Sequence, residues 1–277
     1  MRKGFSEFDL SGKVILVTGA CGLIGREICD AFSSAGANVV VSDIKPEKDI
    51  KRFSGELSKK YKRKSIGIYL DVTKRDSIES GIRIVLKEFG KIDVLVNNAA
   101  IDAKFDIANV KKVNPTRFEN YPLDLLRKSI EVNMIGLILV TQRVIKEMLK
   151  WRSGNIINVS STYAIVAPDQ RLYREKRKRG QVYKPVDYIV TKSFIPGFTR
   201  YLATLYAREG IRVNTIVPHG VENNHPRDFK ERFSERSPLG RMCKVSELRG
   251  PFIFLASDAS SYMTGAVLVV DGGWSIW

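Results

Sequence analysis

The chain has 277 residues, with 46 Lys and Arg against 30 Asp and Glu, and its formal net charge is +16. A chain of this length can bury a large core in one domain without disulfides or a metal. Its three cysteines lack metal-ligand spacing, and we find neither a signal peptide nor an apolar run long enough to span a membrane. We therefore expect a cytoplasmic protein with reduced thiols, no bound metal and no membrane contact.

The strongly basic composition has three competing explanations: a lysine-rich surface, steering of an anionic substrate or cofactor, and contact with nucleic acid or a membrane surface. The basic residues are dispersed except for one dense run at 174–180. No zinc finger, aromatic RNA-binding signature or heptad basic region lies beside that run. Nucleic acid is therefore not an expected partner.

Apolar strand-like runs alternate with helical patterns along the whole chain. In chain order, the first half is predicted as strand 13–18, helix 23–35, strand 38–43, helix 46–61, strand 65–72, helix 74–89, strand 92–97 and a long loop at about 101–122. The second half is predicted as helix 123–150, strand 155–160, helix 188–208, strand 212–217, a mobile polar helix at 225–236, helix 246–256 and strand 266–271. This alternation predicts an α/β fold, a single doubly wound Rossmann domain over 1–277 whose seven-stranded parallel sheet has helices on both faces.

A glycine-rich turn, TGACGLIG at 18–25, follows the first strand and opens the first helix. Such glycines allow backbone N–H groups to approach a pyrophosphate at a helix N-terminus, although a tight packing turn is the alternative. Asp43 ends the second strand, where an acid accepts ribose hydroxyls and repels a 2′-phosphate, so NAD is favoured over NADP. Lys45 weakens that preference, because a base there can meet a phosphate. The predicted cofactor residues of the turn are Gly19, Cys21, Gly22, Leu23, Ile24 and Gly25.

Polar and small residues also end the third and fourth strands, and ligands of open α/β sheets bind at the carboxyl ends of strands. We predict that these residues lie beside the adenine and its ribose, although each is also an ordinary turn former. They are Asp71, Val72, Asn98, Ala99 and Ala100.

Tyr188 and Lys192 are four residues apart, which places them on one face of a helix. A lysine beside a tyrosine favours the phenolate, so we expect a lowered pKa and a phenol usable as a general acid or base. The pair alone occurs by chance on many helices. The glycine-rich turn upstream and the serine pair at 160–161 strengthen the functional interpretation.

These motifs, in this order, resemble the short-chain dehydrogenase/reductase family in its compact one-domain branch, from about residue 10 to the C-terminus. The resemblance includes NNAA at 97–100, RVNTIVP at 212–218 and TGAVLVVDGG at 264–273. It implies that Tyr188 is the general acid/base, that Lys192 lowers its pKa and holds the nicotinamide ribose, and that Ser161 orients the substrate oxygen. It further implies that Asn133 holds a water linked to Lys192, and that the cofactor meets Pro218, Gly220 and Val221.

The chain also departs from the family pattern. The glycines are spaced as in the family's extended members, and His219 interrupts the usual Pro-Gly, either lining the nicotinamide pocket or filling a loop. Glu222-Asn223-Asn224 replaces a common threonine, within a segment at 220–238 that we expect to be a mobile substrate loop. A basic insertion at 170–184 precedes Tyr188. We hypothesise that it draws in an anionic substrate, with a solvated loop as the alternative, through Arg174, Lys176, Arg177, Lys178 and Arg179. Weaker candidates for substrate contacts are Tyr163, Tyr173, Tyr183 and Asn223.

The sequence thus predicts an NAD-dependent oxidoreductase that interconverts a secondary alcohol and a ketone, with a sugar or nucleotide-linked sugar as substrate. A reductase of acyl or other small carbonyl compounds is the main alternative, followed by a non-catalytic cofactor-bound regulatory protein. Local motifs resemble bacterial members from surface-carbohydrate or flagellin-modification pathways. Apolar helices at 123–150 and 188–208 predict a homodimer or homotetramer built about a two-fold axis.

Overall fold

The computed structural model describes residues 6–102, 114–173 and 182–277. Its centre is a seven-stranded sheet in which every neighbouring pair is parallel and the order is β3-β2-β1-β4-β5-β6-β7. The strands are β1 Val14–Thr18, β2 Asn38–Asp43, β3 Ser65–Tyr69, β4 Val94–Asn97, β5 Gly154–Val159, β6 Ile211–Pro218 and β7 Val267–Val270. The predicted α/β doubly wound fold is confirmed.

The helices connect these strands and cover both faces of the sheet. They are α1 Leu23–Ser34, α2 Glu47–Tyr61, α3 Arg75–Phe89, α4 Leu123–Ile130, α5 Leu137–Trp151, α6 Val186–Tyr206, α7 Arg227–Arg236 and α8 Arg249–Ala256. Alternate residues of β1 show the two layers: Ile15 belongs to the core cluster that contains Phe32 of α1, and Leu16 to the cluster that contains Met148 of α5. Within the described ranges, no helix is long and apolar enough to cross a membrane.

The predicted helix 123–150 differs from the observed one in its middle. A π-helical segment, Glu131–Gly136, separates α4 from α5, and the helix ends at Trp151. An apolar periodicity read at 3.6 residues per turn does not reveal a wider turn, and such turns often occur at functional sites. This segment carries Asn133, which is buried.

The strand order reverses at β1 and β4, which creates the crevice where open α/β sheets bind ligands. Gly19 comes directly after β1 and has a φ of +62°. It packs against the residues that follow β4, and an added Cβ would lie only 2.8 Å from the Cα of Ala99. Asn98 fastens the two strand ends, because its Nδ2 donates to the carbonyl oxygens of Thr18 and Gly19 at 3.0 Å each. The turn predicted to bind the cofactor is thus held by β4.

Candidate active site

Ser161, Tyr188 and Lys192 meet at one cavity of about 390 Å³ at the carboxyl end of the sheet. Ser161 follows β5, and its Oγ accepts a hydrogen bond from the N–H of Tyr163 at 3.3 Å. Ser160, the other member of the serine pair, donates its hydroxyl to the carbonyl oxygen of Lys192 at 2.8 Å. The two serines therefore differ in role: Ser160 ties α6 to the end of β5.

Lys192 is buried, with 6% of its surface exposed. Its Nζ donates to the carbonyl oxygen of Val159 at 2.9 Å and lies 6.0 Å from the centroid of the Tyr188 ring. Burial disfavours the ammonium and lowers the pKa of Lys192 to about 8.

Tyr188 shows the opposite pKa shift from the one expected from its spacing to Lys192. Burial raises the pKa of Tyr188 to about 12, and the hydrogen bond to Ser161 opposes that rise only in part. The expectation of a lowered pKa is therefore wrong for this structure, because removal of the phenolate from water outweighs the other influences. At neutral pH the phenol is protonated, which is the form that donates a proton.

Asn133 connects the π-helical segment to the end of β4 and to α6. Its Oδ1 accepts from the N–H of Ile101 at 2.8 Å, and its Nδ2 donates to the carbonyl oxygen of Ile101 at 2.9 Å. The same Nδ2 contacts Oγ1 of Thr191, the neighbour of Lys192, at 3.2 Å. Asn133 therefore positions the backbone beside the cavity, and its expected hold on a water stays a prediction.

The glycine-rich turn has the features that a dinucleotide requires. Helix α1 begins at this turn with Gly22 as its N-cap and, within the described chain, without a side-chain cap, so its first N–H groups can meet an anion. Gly25 lies so near the turn that an added Cβ would be 2.3 Å from the oxygen of Gly19. Asp43, 8% exposed, accepts from the N–H of Cys21 at 2.8 Å and of Lys45 at 3.1 Å. The residues present therefore fit NAD(P).

The remaining predicted cofactor residues fall into two groups. Several border the same cavity as Tyr188, namely Leu23, Ile24, Asn98, Ala100, Pro218, Gly220 and Val221. Asp71, Val72 and Ala99 do not. Oδ1 of Asp71 accepts from the N–H of Thr73 at 2.9 Å, Val72 is buried in the core cluster under α3, and Ala99 packs against that cluster. The side chain of Val72 thus has a packing role.

Part of the cavity lining is an aromatic wall, which the sequence predicted only in part. Tyr163, Tyr173 and Asn223 border the cavity as proposed, whereas Tyr183 borders a separate one. Phe229 and Phe233 of α7 were missed, although their spacing of four residues predicts one helical face.

His219 is part of this wall, so the prediction that it lines the pocket is favoured over a loop-filling role. Its ring centroid lies 5.3 Å from that of Tyr163, 5.2 Å from that of Phe233 and 4.6 Å from that of Trp274. Burial lowers the pKa of His219 to about 4, so the imidazole is neutral near pH 7. Its Nε2 has no hydrogen-bond partner among the described residues.

Two charged residues of the cavity, Lys184 and Asp102, were not predicted. Lys184 Nζ lies 2.7 Å from Oδ2 of Asp102 and 3.8 Å from the centroid of the Tyr188 ring. Lys184 is the last residue of the basic insertion predicted at 170–184, which was the available signal. The basic run at 174–179, predicted to attract an anionic substrate, lies outside the described residues.

A switch-point crevice with a glycine-rich turn, joined to a Ser, a Tyr and a Lys at one cavity, defines an NAD(P)-dependent oxidoreductase acting on CH–OH groups. A family model described as "Enoyl-(Acyl carrier protein) reductase" matches residues 19–275. The chain belongs to the short-chain dehydrogenase/reductase family, as its resemblance implied.

Similar proteins span several alcohol and ketone chemistries. The 3-oxoacyl-(acyl-carrier-protein) reductase FabG of Thermotoga maritima is 34% identical, over 95% of this chain and 98% of that protein. An NAD-dependent glycerol dehydrogenase of Listeria innocua is 30% identical, over 99% and 98%. The post-translational flagellin modification protein A of Campylobacter coli is 28% identical, over 96% and 100%. The structure of a gluconate 5-dehydrogenase from Burkholderia cenocepacia, in complex with NADP and tartrate, has a TM-score of 0.84 at 26% identity, over 98% of both chains.

Proposed function

We propose that the protein is an NAD-dependent dehydrogenase/reductase that interconverts a secondary alcohol and a ketone on a sugar or a sugar-derived alcohol. The observation that carries this proposal is the convergence of Ser161, Tyr188 and Lys192 on one cavity bordered by aromatic and polar side chains. The glycerol and gluconate dehydrogenases among its relatives support a hydroxylated substrate.

In the proposed mechanism, Ser161 and Tyr188 together orient the substrate oxygen. The Tyr188 phenol donates its proton to that oxygen during reduction and recovers it during oxidation. Lys192 holds the nicotinamide ribose, and Asn133 fixes the backbone at Ile101 beside the cavity. A nicotinamide held there by Lys192 would supply hydride chemistry at the substrate carbon.

The proposed preference for NAD rests on Asp43. Its carboxylate is buried at the end of β2, and it is held in place by the N–H of Cys21 in the glycine-rich turn. A 2′-phosphate beside this carboxylate would meet like charge, whereas ribose hydroxyls can donate to it. Because relatives of this fold use either NAD or NADP, the preference is a testable part of the proposal.

A second candidate is reduction of an acyl or another small carbonyl compound, which the similarity to FabG favours. Both candidates use the same side chains, so only the substrate distinguishes them. The extension to nucleotide-linked sugars stays a prediction, because it depended on the basic run outside the described residues.

We also propose a homo-oligomer. Tyr201 and Leu205 of α6 are 62% and 51% exposed, and they border a groove of about 530 Å³ between α3, α5 and α6. Exposed apolar faces of this kind commonly mark interfaces between copies. Sedimentation of the purified protein at several concentrations measures the oligomeric state, and a monomer at all of them would contradict this part.

The function is tested by following absorbance of the reduced nicotinamide with purified protein, NAD and a panel of polyols, sugar acids, nucleotide-linked sugars and simple alcohols. Tyr188→Phe is the control, with retained NADH fluorescence showing that it is folded. We expect turnover of a sugar or polyol that the variant lacks. Turnover of acyl ketones alone, with NADPH, would establish the second candidate, and lack of binding of either nucleotide would contradict both.

A further inference from the structure

We propose that the ion pair of Lys184 and Asp102 is a hydroxyl-binding clamp that selects neutral polyhydroxylated alcohols. This inference rests on the proposed function, because it assigns a substrate contact in the same cavity. It also specifies a substrate class. Ser161, Tyr188 and Lys192 do not specify one, because they act only at the reacting oxygen and the cofactor.

The pair lies directly beside the phenol that is proposed to contact the substrate. Nζ of Lys184 is 2.7 Å from Oδ2 of Asp102, and it lies over the Tyr188 ring, 3.8 Å from its centroid. The Lys184 side chain is 12% exposed, whereas that of Asp102 is 50% exposed, and both border the cavity. A hydroxyl on the carbon next to the reacting carbon would therefore approach this pair.

The hydrogen-bonding capacity of the Lys184 ammonium and the Asp102 carboxylate matches that of hydroxyl groups. An ammonium has three N–H donors and a carboxylate has two acceptor oxygens, so their mutual bond leaves donors and acceptors for a ligand. A polyol hydroxyl both donates and accepts, which allows one hydroxyl to accept from Lys184 while it or its neighbour donates to Asp102. A simple alcohol has no second hydroxyl, so it leaves these groups without substrate partners.

The charge of the pair argues for a neutral ligand. Asp102 offsets the charge of Lys184, and a substrate carboxylate at the same place would meet the Asp102 carboxylate. Beyond the pair, the cavity wall is aromatic: the rings of His225 and Phe229 stack with centroids 5.0 Å apart. Aromatic faces accommodate the C–H groups of a polyol, while the ion pair takes its hydroxyls.

The test compares two four-carbon secondary alcohols, D-threitol and 2-butanol, which differ in the additional hydroxyls. The measured quantity is the ratio of their kcat/KM values, in wild type, Lys184→Met and Asp102→Asn. Lys51→Met is the matched control, because Lys51 forms an ion pair with Glu47 on the exposed face of α2. NADH binding establishes that each variant is folded.

We expect the threitol-to-butanol ratio to fall about ten- to a hundredfold in both clamp variants, because each loses hydrogen bonds made only to a polyol. The control should retain the wild-type ratio. An unchanged ratio in a folded clamp variant would overturn the clamp while leaving the dehydrogenase proposal intact. Loss of gluconate turnover in Lys184→Met, with a gain in Asp102→Asn, would overturn it in favour of an anion site. Turnover of acyl ketones alone would contradict the proposed function itself.

Discussion

Gly25→Ala is the substitution that most sharply tests how the cofactor turn is packed. A Cβ at Gly25 would lie 2.3 Å from the oxygen of Gly19, 2.7 Å from the Cα of Ala20 and 2.8 Å from its carbonyl carbon. All three are backbone atoms, so no flexible side chain can yield and the turn itself must shift. Overpacking of this kind costs about 3 kcal/mol, and the better helix propensity of Ala returns about 1 kcal/mol.

We therefore expect Gly25→Ala to lower the free energy of unfolding by about 2 kcal/mol, or the melting temperature by about 4–8 °C. Gly55→Ala is the matched control, since Gly55 also lies within a helix, α2, and an added Cβ there has no atom within 4 Å. Thermal unfolding without cofactor, followed by circular dichroism, measures both variants. A Gly25→Ala protein that melts with the wild type, or a Gly55→Ala protein that melts lower, would refute the reasoning.

Three further predictions concern charge. Because the phenol of Tyr188 has a pKa raised to about 12, we expect alcohol oxidation to accelerate as pH rises above neutrality and ketone reduction not to, as pH profiles in both directions will show. The pKa of His219 is about 4 in the folded protein and 6.5 in the unfolded chain. Between these two pH values the unfolded chain binds more protons, so the free energy of unfolding falls as pH is lowered from 6.5 to 4. On acidification, the free energy of unfolding of His219→Gln should therefore decrease by up to about 3 kcal/mol less than that of the wild type, as measured by denaturant unfolding. Equal decreases in the two proteins would contradict a buried neutral imidazole. Asp43→Asn removes the charge facing a 2′-phosphate, so the ratio of kcat/KM for NADP to that for NAD should rise at least about tenfold; an unchanged ratio would show that Asp43 does not set the preference.

The strands were predictable because parallel strands covered on both faces form continuous apolar runs. In β1, every residue from Val14 to Thr18 is buried, and no alternation of polar residues obscures the run. The relative position of Tyr188 and Lys192 was also predictable, because residues four apart on a helix share a face whatever surrounds the helix.

The electrostatics of the site could not be predicted in the same way, because burial depends on residues distant in sequence. Sequence spacing alone makes Lys192 the main influence on Tyr188, whereas the fold adds burial and the charge of Asp102. Lys184 and Asp102 are 82 positions apart, and they meet only because the end of β4 faces the segment before α6. The burial of His219 likewise depends on Trp274, near the far end of the chain.

A buried row of amides and hydroxyls beneath the cavity explains how this fold holds the candidate site in register. Nδ2 of Asn97 in β4 donates to Oδ1 of Asn158 in β5 at 2.8 Å, and Nδ2 of Asn158 donates to Oγ1 of Thr199 in α6 at 2.9 Å. Thr215 in β6 donates to the same oxygen at 2.7 Å. Hydrogen bonds in a low-dielectric interior are strong when made and costly when broken, so this row fixes α6 against three strands. Tyr188 lies on that helix and Ser161 just beyond β5, so their relative position is set before any substrate arrives.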